Sequence, residues 1–332
     1  MPPTPLTVQY KEIDGSRIDT DVYLPPLAAS DNGQPRDYPV LIDIHGGSFM
    51  LGHSKMVCMP QVDDGLARGW IVVSPNHRLC PQVNILEGPM ADCRDLLAWI
   101  YDGHLDAFLA GESAAHLHGS QYRVDKDRVM AFGTSSGGTL ALSLGWDVPR
   151  RVAAILDFYA PAYLTHPFWT QPLPEVASKL PPLDPAFLNR IYDEKPVPTN
   201  SSISLEGQTE VGVVPGPDFS RPRDGFALTQ VANGTVIQAC YPGRDVKEID
   251  PVHHVDAQFP PTCIVHGGAD TKVTIEVSRE LFRVLKEQGV RCEMIEVPGE
   301  DHTFAMSMKV GSPTWELQRR GFDFLERVIA SR

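Results

Sequence analysis

The chain lacks closely spaced cysteines, long apolar runs and any surplus of positive charge, and each lack removes a class of function. Its six cysteines, Cys58, Cys80, Cys93, Cys240, Cys263 and Cys292, stand at least thirteen residues apart. Neither a C-x-x-C redox motif nor a zinc-type pairing is therefore present. Isolated thiols are most often small buried apolar groups, and neither a zinc site nor a redox role is expected of them. No apolar stretch approaches the roughly 18–20 residues that a membrane span requires. The opening MPPTPLTVQYKEIDGSR has neither the basic nor the apolar region of a secretory leader, so a cytoplasmic location is expected. A net charge of −13 leaves no basic stripe for nucleic acid and no basic amphipathic segment for an anionic membrane. Hydrophobic residues at 42% are ordinary for a globular chain. The length of 332 residues allows one large domain with an insertion, or two smaller ones. A small molecule is the expected partner, and a homodimer stays open.

What is present is an alternation of short apolar runs with amphipathic stretches. Residues 7–24 alternate around Asp14-Gly15 as a β-hairpin would. Apolar runs at Pro39–Ile44, Ile71–Ser74, Val129–Phe132, Val152–Leu156, Thr262–His266 and Glu293–Val297 read as buried strands. Helical spacing predicts helices from about Met90 to Leu109, through Leu144, over Thr274–Gln288 and over Trp315–Ile329. Such alternation implies a mostly parallel sheet covered by helices on both faces, and parallel sheets place ligands at the carboxyl ends of their strands. Between about Ala160 and Phe259 the rhythm breaks into a segment rich in Pro, Ser, Asn and Gly.

Motifs that carry chemistry lie at such strand ends. Gly133-Thr134-Ser135-Ser136-Gly137 is a G-x-S-x-G turn between the strand VMAF and a helix. That setting lifts a serine clear of the backbone, and the flanking glycines avoid collisions with neighbouring elements. Ser135 is the expected nucleophile. Ser136 is not, because its own frame would need glycine at position 134. An anion-binding helix start is the plainer alternative. His45-Gly46-Gly47-Ser48 follows an early strand and reads as an oxyanion loop. Gly47 is the expected first N–H donor, Gly46 or Ser48 the second, and Ser136 contributes its own backbone N–H. His45 is expected to prop this loop.

A serine hydroxyl needs a histidine to take its proton, and a carboxylate to orient that histidine. His302 follows the last strand, CEMIEVPG, and is the expected base. His253 and His254 precede the penultimate strand and His266 lies inside it, so none has that placement. Asp270, after the strand TCIVHG, is the expected acid, with Asp157 and Asp301 as rivals. The chain order Ser, Asp, His suits an α/β-hydrolase.

On these residues the chain resembles the hormone-sensitive-lipase-like carboxylesterases of the α/β-hydrolase superfamily, over roughly residues 38–160 and 250–328. SPNHRLCPQ is similar to that family's segment ending Y-R-L-A-P-E, and MADCRDLLAWI supplies its Asp-containing helix through Asp92 and Trp99. VDKDRVMAFGTSSGG and LFRVLKEQGVRCEMIEVPGEDHTF resemble its elbow and C-terminal blocks. The chain departs from the pattern at Ser48, where a third glycine is usual, and in T-S-S for D-S-A at the elbow. Thr-Lys-Val after Asp270 is closer to the D-x-x-V of peptidase-like relatives. The resemblance implies a single α/β-hydrolase domain over 1–332 that needs no cofactor. Its cap would come from the N-terminal segment (about 1–36) and an insertion at about 160–259.

The cap would supply the pocket, with Phe49, Phe168 and Trp169 as candidate walls; these aromatics could equally form the cap's own small core. The expected activity is hydrolysis of an apolar ester or lactone of small to medium size, such as a secondary metabolite. Amide or formamide hydrolysis (as by kynurenine formamidase), release of a thioester-bound polyketide, and a receptor built on an inactive hydrolase (as the gibberellin receptors are) are the alternatives. His302 argues against the receptor.

Overall fold

Strands buried on both faces are apolar at most positions, and the inner strands here divide their side chains between two cores. In β3 (Arg36–Ile44), Val40, Ile42 and Ile44 enter one core and Leu41 the other. In β5 (Tyr122–Thr134), Val129 and Ala131 face the first core, Met130 and Phe132 the second. The computed structural model describes residues 4–27, 34–203, 216–306 and 308–331. Its sheet has eight strands in the order β1-β2-β4-β3-β5-β6-β7-β8. The others are β1 (Leu6–Ile13), β2 (Ser16–Tyr23), β4 (Ile71–Pro75), β6 (Ile155–Phe158), β7 (Thr262–Gly267) and β8 (Cys292–Val297). Only β2 runs against its neighbours, pairing antiparallel with β1 and β4. From β4 to β8 every pairing is parallel, so the loops after β3, β5, β7 and β8 emerge at one edge.

Helices cover both faces, as expected. One layer holds α1 (Met59–Ala67) and α10 (Pro313–Ile329); the other holds α2 (Ala91–Tyr101), α3 (His104–Ala110), α4 (Ser136–Leu142) and α9 (Ile275–Glu287). Between β6 and β7 lie α5 (Pro174–Ala177), α6 (Pro185–Asn189), α7 (Pro222–Asn233) and α8 (Val236–Cys240).

Several expectations need correction. The hairpin of the N-terminal segment is the sheet's edge and not part of a cap, because Thr20–Tyr23 pair with Val72–Pro75. Residues 1–3 and 28–33 of that segment, and 204–215 of the insertion, lie outside the described residues. The helix expected over Met90–Leu109 is two, broken between Tyr101 and His104. The strand expected at Val152–Leu156 begins later, at Ile155, where the chain first meets both Ala131 and Thr262. Helix α1 was not anticipated; its buried Val62 and Leu66 stand four apart, a short signal between Pro60 and Gly69.

Candidate active site

Each candidate side chain is delivered by the end of a parallel strand. Ser135 follows β5 and caps α4 with φ 47° and ψ −122°, a setting that costs a residue with a Cβ about 1–3 kcal/mol. Tight packing holds it there: its N–H donates to the Phe158 carbonyl (2.8 Å), and a Cβ on Gly137 would run into the Ile44 carbonyl oxygen. His302, in the loop after β8, places Nε2 3.0 Å from Ser135 Oγ. Its Nδ1 lies 2.6 Å from Asp270 Oδ2, and the Tyr159 ring packs against its imidazole, centroids 4.8 Å apart. Asp270 Oδ1 accepts the backbone N–H groups of Lys272 (2.9 Å) and Val273 (2.8 Å). Burial pushes the Asp270 carboxyl up, but His302 and His266 outweigh it and hold it well below the usual carboxylate range. A buried carboxylate, an oriented imidazole and a serine hydroxyl in line can move a proton off the hydroxyl.

The rival acids are occupied elsewhere. Asp157 is fully buried; its Oδ1 accepts the Ala160 N–H (3.0 Å) and its Oδ2 has no hydrogen-bond partner among the described residues. Burial pushes its carboxyl up to about 7. Asp301 accepts the N–H groups of His302 (2.8 Å) and Thr271 (2.9 Å) and pairs with Lys272 Nζ at 2.5 Å. It therefore touches the backbone of the histidine and not its ring.

The loop after β3 turns back sharply, and Gly47 O accepts from Met50 N (3.0 Å) and Leu51 N (2.9 Å). Gly47, Ser48 and Phe49 have φ of 125°, 54° and 63°. A Cβ at Gly47 would strike the Leu51 carbonyl oxygen, so only glycine fits that position. His45 is buried behind the turn, with Nδ1 2.8 Å from Gly46 O and its ring stacked on His77 at 4.7 Å. Burial and His77 lower its pKa well below the ordinary value, which suits a neutral prop. Gly46 directly precedes this turn, and Ser136 opens α4 immediately after Ser135.

Ser48, Phe49, Ser135 and His302 line one cavity of about 220 Å³, and Phe168 and Trp169 from the insertion line it too. Leu228 and Val231 of α7 and Val236 and Ile237 of α8 complete the apolar wall, with Lys272 and Asp301 beside them. These were not anticipated. The only sequence signal for them is the apolar spacing of one α7 face, which a helix inside a cap core would share. Among the described residues no group of three or more His, Cys, Asp or Glu side chains could hold a metal ion, and no helix is long and apolar enough to cross a membrane.

This sheet, with its elbow and late histidine, is the architecture of the α/β-hydrolases, and the chain has that fold. The apo form of Thermogutta terrifontis esterase 2 superposes with a TM-score of 0.60 at 18% identity, covering 100% of this chain and 96% of that one. The propionate-bound form of that esterase gives 0.60 and 18%, covering 99% and 94%. Residues 20–171 match the BD-FAE family, and residues 235–332 match the prolyl oligopeptidase family. By sequence the chain is similar to the non-reducing polyketide synthase prhL of Penicillium brasilianum, 31% identical over 354 residues, and to Preu6 of Preussia isomera, 30% over 337. Each match takes in 96% of this chain but 14% of the synthase, so the chain spans about one seventh of the length of these curated relatives.

Proposed function

We propose that the protein is a serine hydrolase that cleaves carboxylic esters or thioesters of apolar acyl groups. The observation that carries this reading is the unbroken line from Ser135 Oγ through the His302 ring to Asp270, at the floor of an apolar cavity. Ser135 Oγ attacks the acyl carbon while its proton passes to His302 Nε2. Backbone N–H groups of Gly47, of Gly46 or Ser48, and of Ser136 hold the oxyanion. Collapse expels the alcohol or thiol, which takes the proton from His302, and leaves an acyl ester on Ser135. Water then repeats the sequence, with His302 again as base, and frees the acid. Asp270 holds the tautomer that keeps Nε2 free to accept.

Similarity to polyketide synthases along nearly the whole chain favours one substrate class, an acyl chain delivered as a carrier-bound thioester in secondary metabolism. The insertion, acting as a cap, would take up that chain between α7, α8 and Trp169.

Fluorophosphonate labelling and turnover of a p-nitrophenyl ester test the chemistry together. Ser135→Ala should abolish labelling and lower kcat by about 10⁶ with the fold intact. A variant retaining a tenth of the activity would remove Ser135 from the mechanism. Comparing an N-acetylcysteamine thioester with the oxygen ester of the same acid tests the substrate class. A kcat/KM lower for the thioester would argue against acyl release from a carrier.

A further inference from the structure

The turn at Gly47, Ser48 and Phe49 places three consecutive residues at positive φ, two of them with side chains. A side chain is strained in that conformation, and such a turn persists only when its surroundings impose it. The bracing comes from the insertion. Arg223, in the first turn of α7, is 5% exposed and uses all five of its N–H donors. Nη1 donates to the Met50 carbonyl (2.7 Å) and the Cys80 carbonyl (2.8 Å). Nη2 donates to Gln82 Oε1 (2.9 Å) and Glu194 Oε2 (2.5 Å), and Nε also reaches Glu194 Oε2 (2.9 Å). Cys80 N in turn donates to the Phe49 carbonyl (2.9 Å). One guanidinium thus ties the turn, the segment after β4 and the insertion together. Ser201, also in the insertion, adds a second tie: its Oγ accepts the Gly52 N–H (2.8 Å) and its own N–H donates to the Gly52 carbonyl (2.9 Å).

We infer that Arg223 is a positioning residue for the oxyanion loop, so that the insertion sets the stabilisation of the tetrahedral intermediate as well as walling the pocket. Lysine cannot replace it, because three donors on a flexible stem do not reproduce a planar five-donor fork. Effects on the reaction should therefore fall on kcat, since N–H groups aimed at the developing oxyanion act in the transition state and not on the ground-state ester.

The inference rests on the serine-hydrolase reading, and one series of measurements separates the two. Absence of both fluorophosphonate labelling and ester turnover in the wild type would sink that reading. Given an active wild type, Arg223→Lys should lower kcat about 10- to 100-fold while KM changes by less than about threefold. It should weaken a trifluoromethyl ketone, whose serine adduct carries an oxyanion at the same place, by the same factor as kcat. Glu194→Gln keeps the packing but removes the charge that aims the guanidinium, and should show the same paired losses to a smaller degree. Folded variants with wild-type kcat and wild-type ketone affinity overturn the inference, as does a loss confined to KM or Tm. Should Arg223→Lys fail to fold, Glu194→Gln decides by the same comparison.

Discussion

His266 Nε2 lies 3.2 Å from Asp270 Oδ2, the same oxygen that meets His302 Nδ1 at 2.6 Å. The buried acid of the proposed triad therefore sits between two histidines. His266 Nδ1 is 2.8 Å from the Ser278 hydroxyl and Nε2 is 2.9 Å from the Val273 carbonyl. A carbonyl can only accept, so Nε2 carries the proton and the serine donates to Nδ1. His266 thereby shares its one N–H between the Val273 carbonyl and Asp270.

Loss of that donor should weaken the hold on the carboxylate without displacing His302. A hydrogen bond to a charged group contributes about 1.5–3 kcal/mol, so His266→Leu should lower kcat by roughly 10- to 100-fold, less than loss of Asp270 itself. The stability that Asp270 provides is present above the ordinary carboxylate range and is lost as pH falls through its depressed folded value. With His266 gone the depression shrinks, so that loss is smaller in total and is complete at a higher pH. Steady-state kinetics and an acid-unfolding titration followed by tryptophan fluorescence check both. A variant with wild-type kcat would reduce His266 to a core residue.

Asp270→Asn should favour the wrong His302 tautomer and lower kcat by about 10⁴. Asp157→Asn should leave kcat near normal, because Asp157 bonds the Ala160 N–H. Near-normal turnover in Asp270→Asn beside a crippled Asp157→Asn would transfer the role to the earlier strand.

Asp157 also makes a prediction about pH and stability. Its carboxyl, buried and pushed up to about 7, holds a proton in the folded state that the unfolded chain has lost. Folding is therefore penalised increasingly as pH rises from the ordinary carboxylate range, and in full above about 7. Asp157→Asn should gain Tm over the wild type at pH 8 relative to its difference at pH 5. Calorimetry of both proteins at both values measures this, and an equal difference at the two would contradict a neutral Asp157.

The pocket can be probed at Trp169, whose Nε1 is held by the Tyr163 carbonyl at 2.8 Å and which lines the cavity. Trp169→Ala should raise KM for an octanoyl ester roughly tenfold, the loss of about 1.5 kcal/mol of apolar contact, and leave acetate turnover unchanged. Equal effects on both acyl lengths would assign Trp169 to the cap core instead.

Much of the fold was legible because the inner strands are buried on both faces and are written as short, nearly continuous apolar runs. The edge hairpin at residues 7–24 was legible as a hairpin, yet its place was not. Which strand it pairs with depends on Thr20–Tyr23 meeting Val72–Pro75, a contact that local patterning does not encode. The G-x-S-x-G turn, the His-Gly-Gly loop and the late Asp and His were legible because strand ends leave local signals: a short apolar run, then small or polar residues.

The identity and order of Ser135, Asp270 and His302 are thus properties of the sequence alone. Their spacing in Å is not. Ser135 and His302 are separated by 167 positions yet lie 3.0 Å apart, because β5 and β8 run parallel in one sheet and end at the same edge. His266 and Arg223 belong wholly to the tertiary structure. In sequence, His266 is one more histidine in a buried strand and Arg223 one more cation at a helix start. Only chain packing brings Arg223 onto the Met50 carbonyl, 173 positions away. No local pattern marks such a contact, since a buried guanidinium is defined by the carbonyls and carboxylate that surround it and these come from three separate segments.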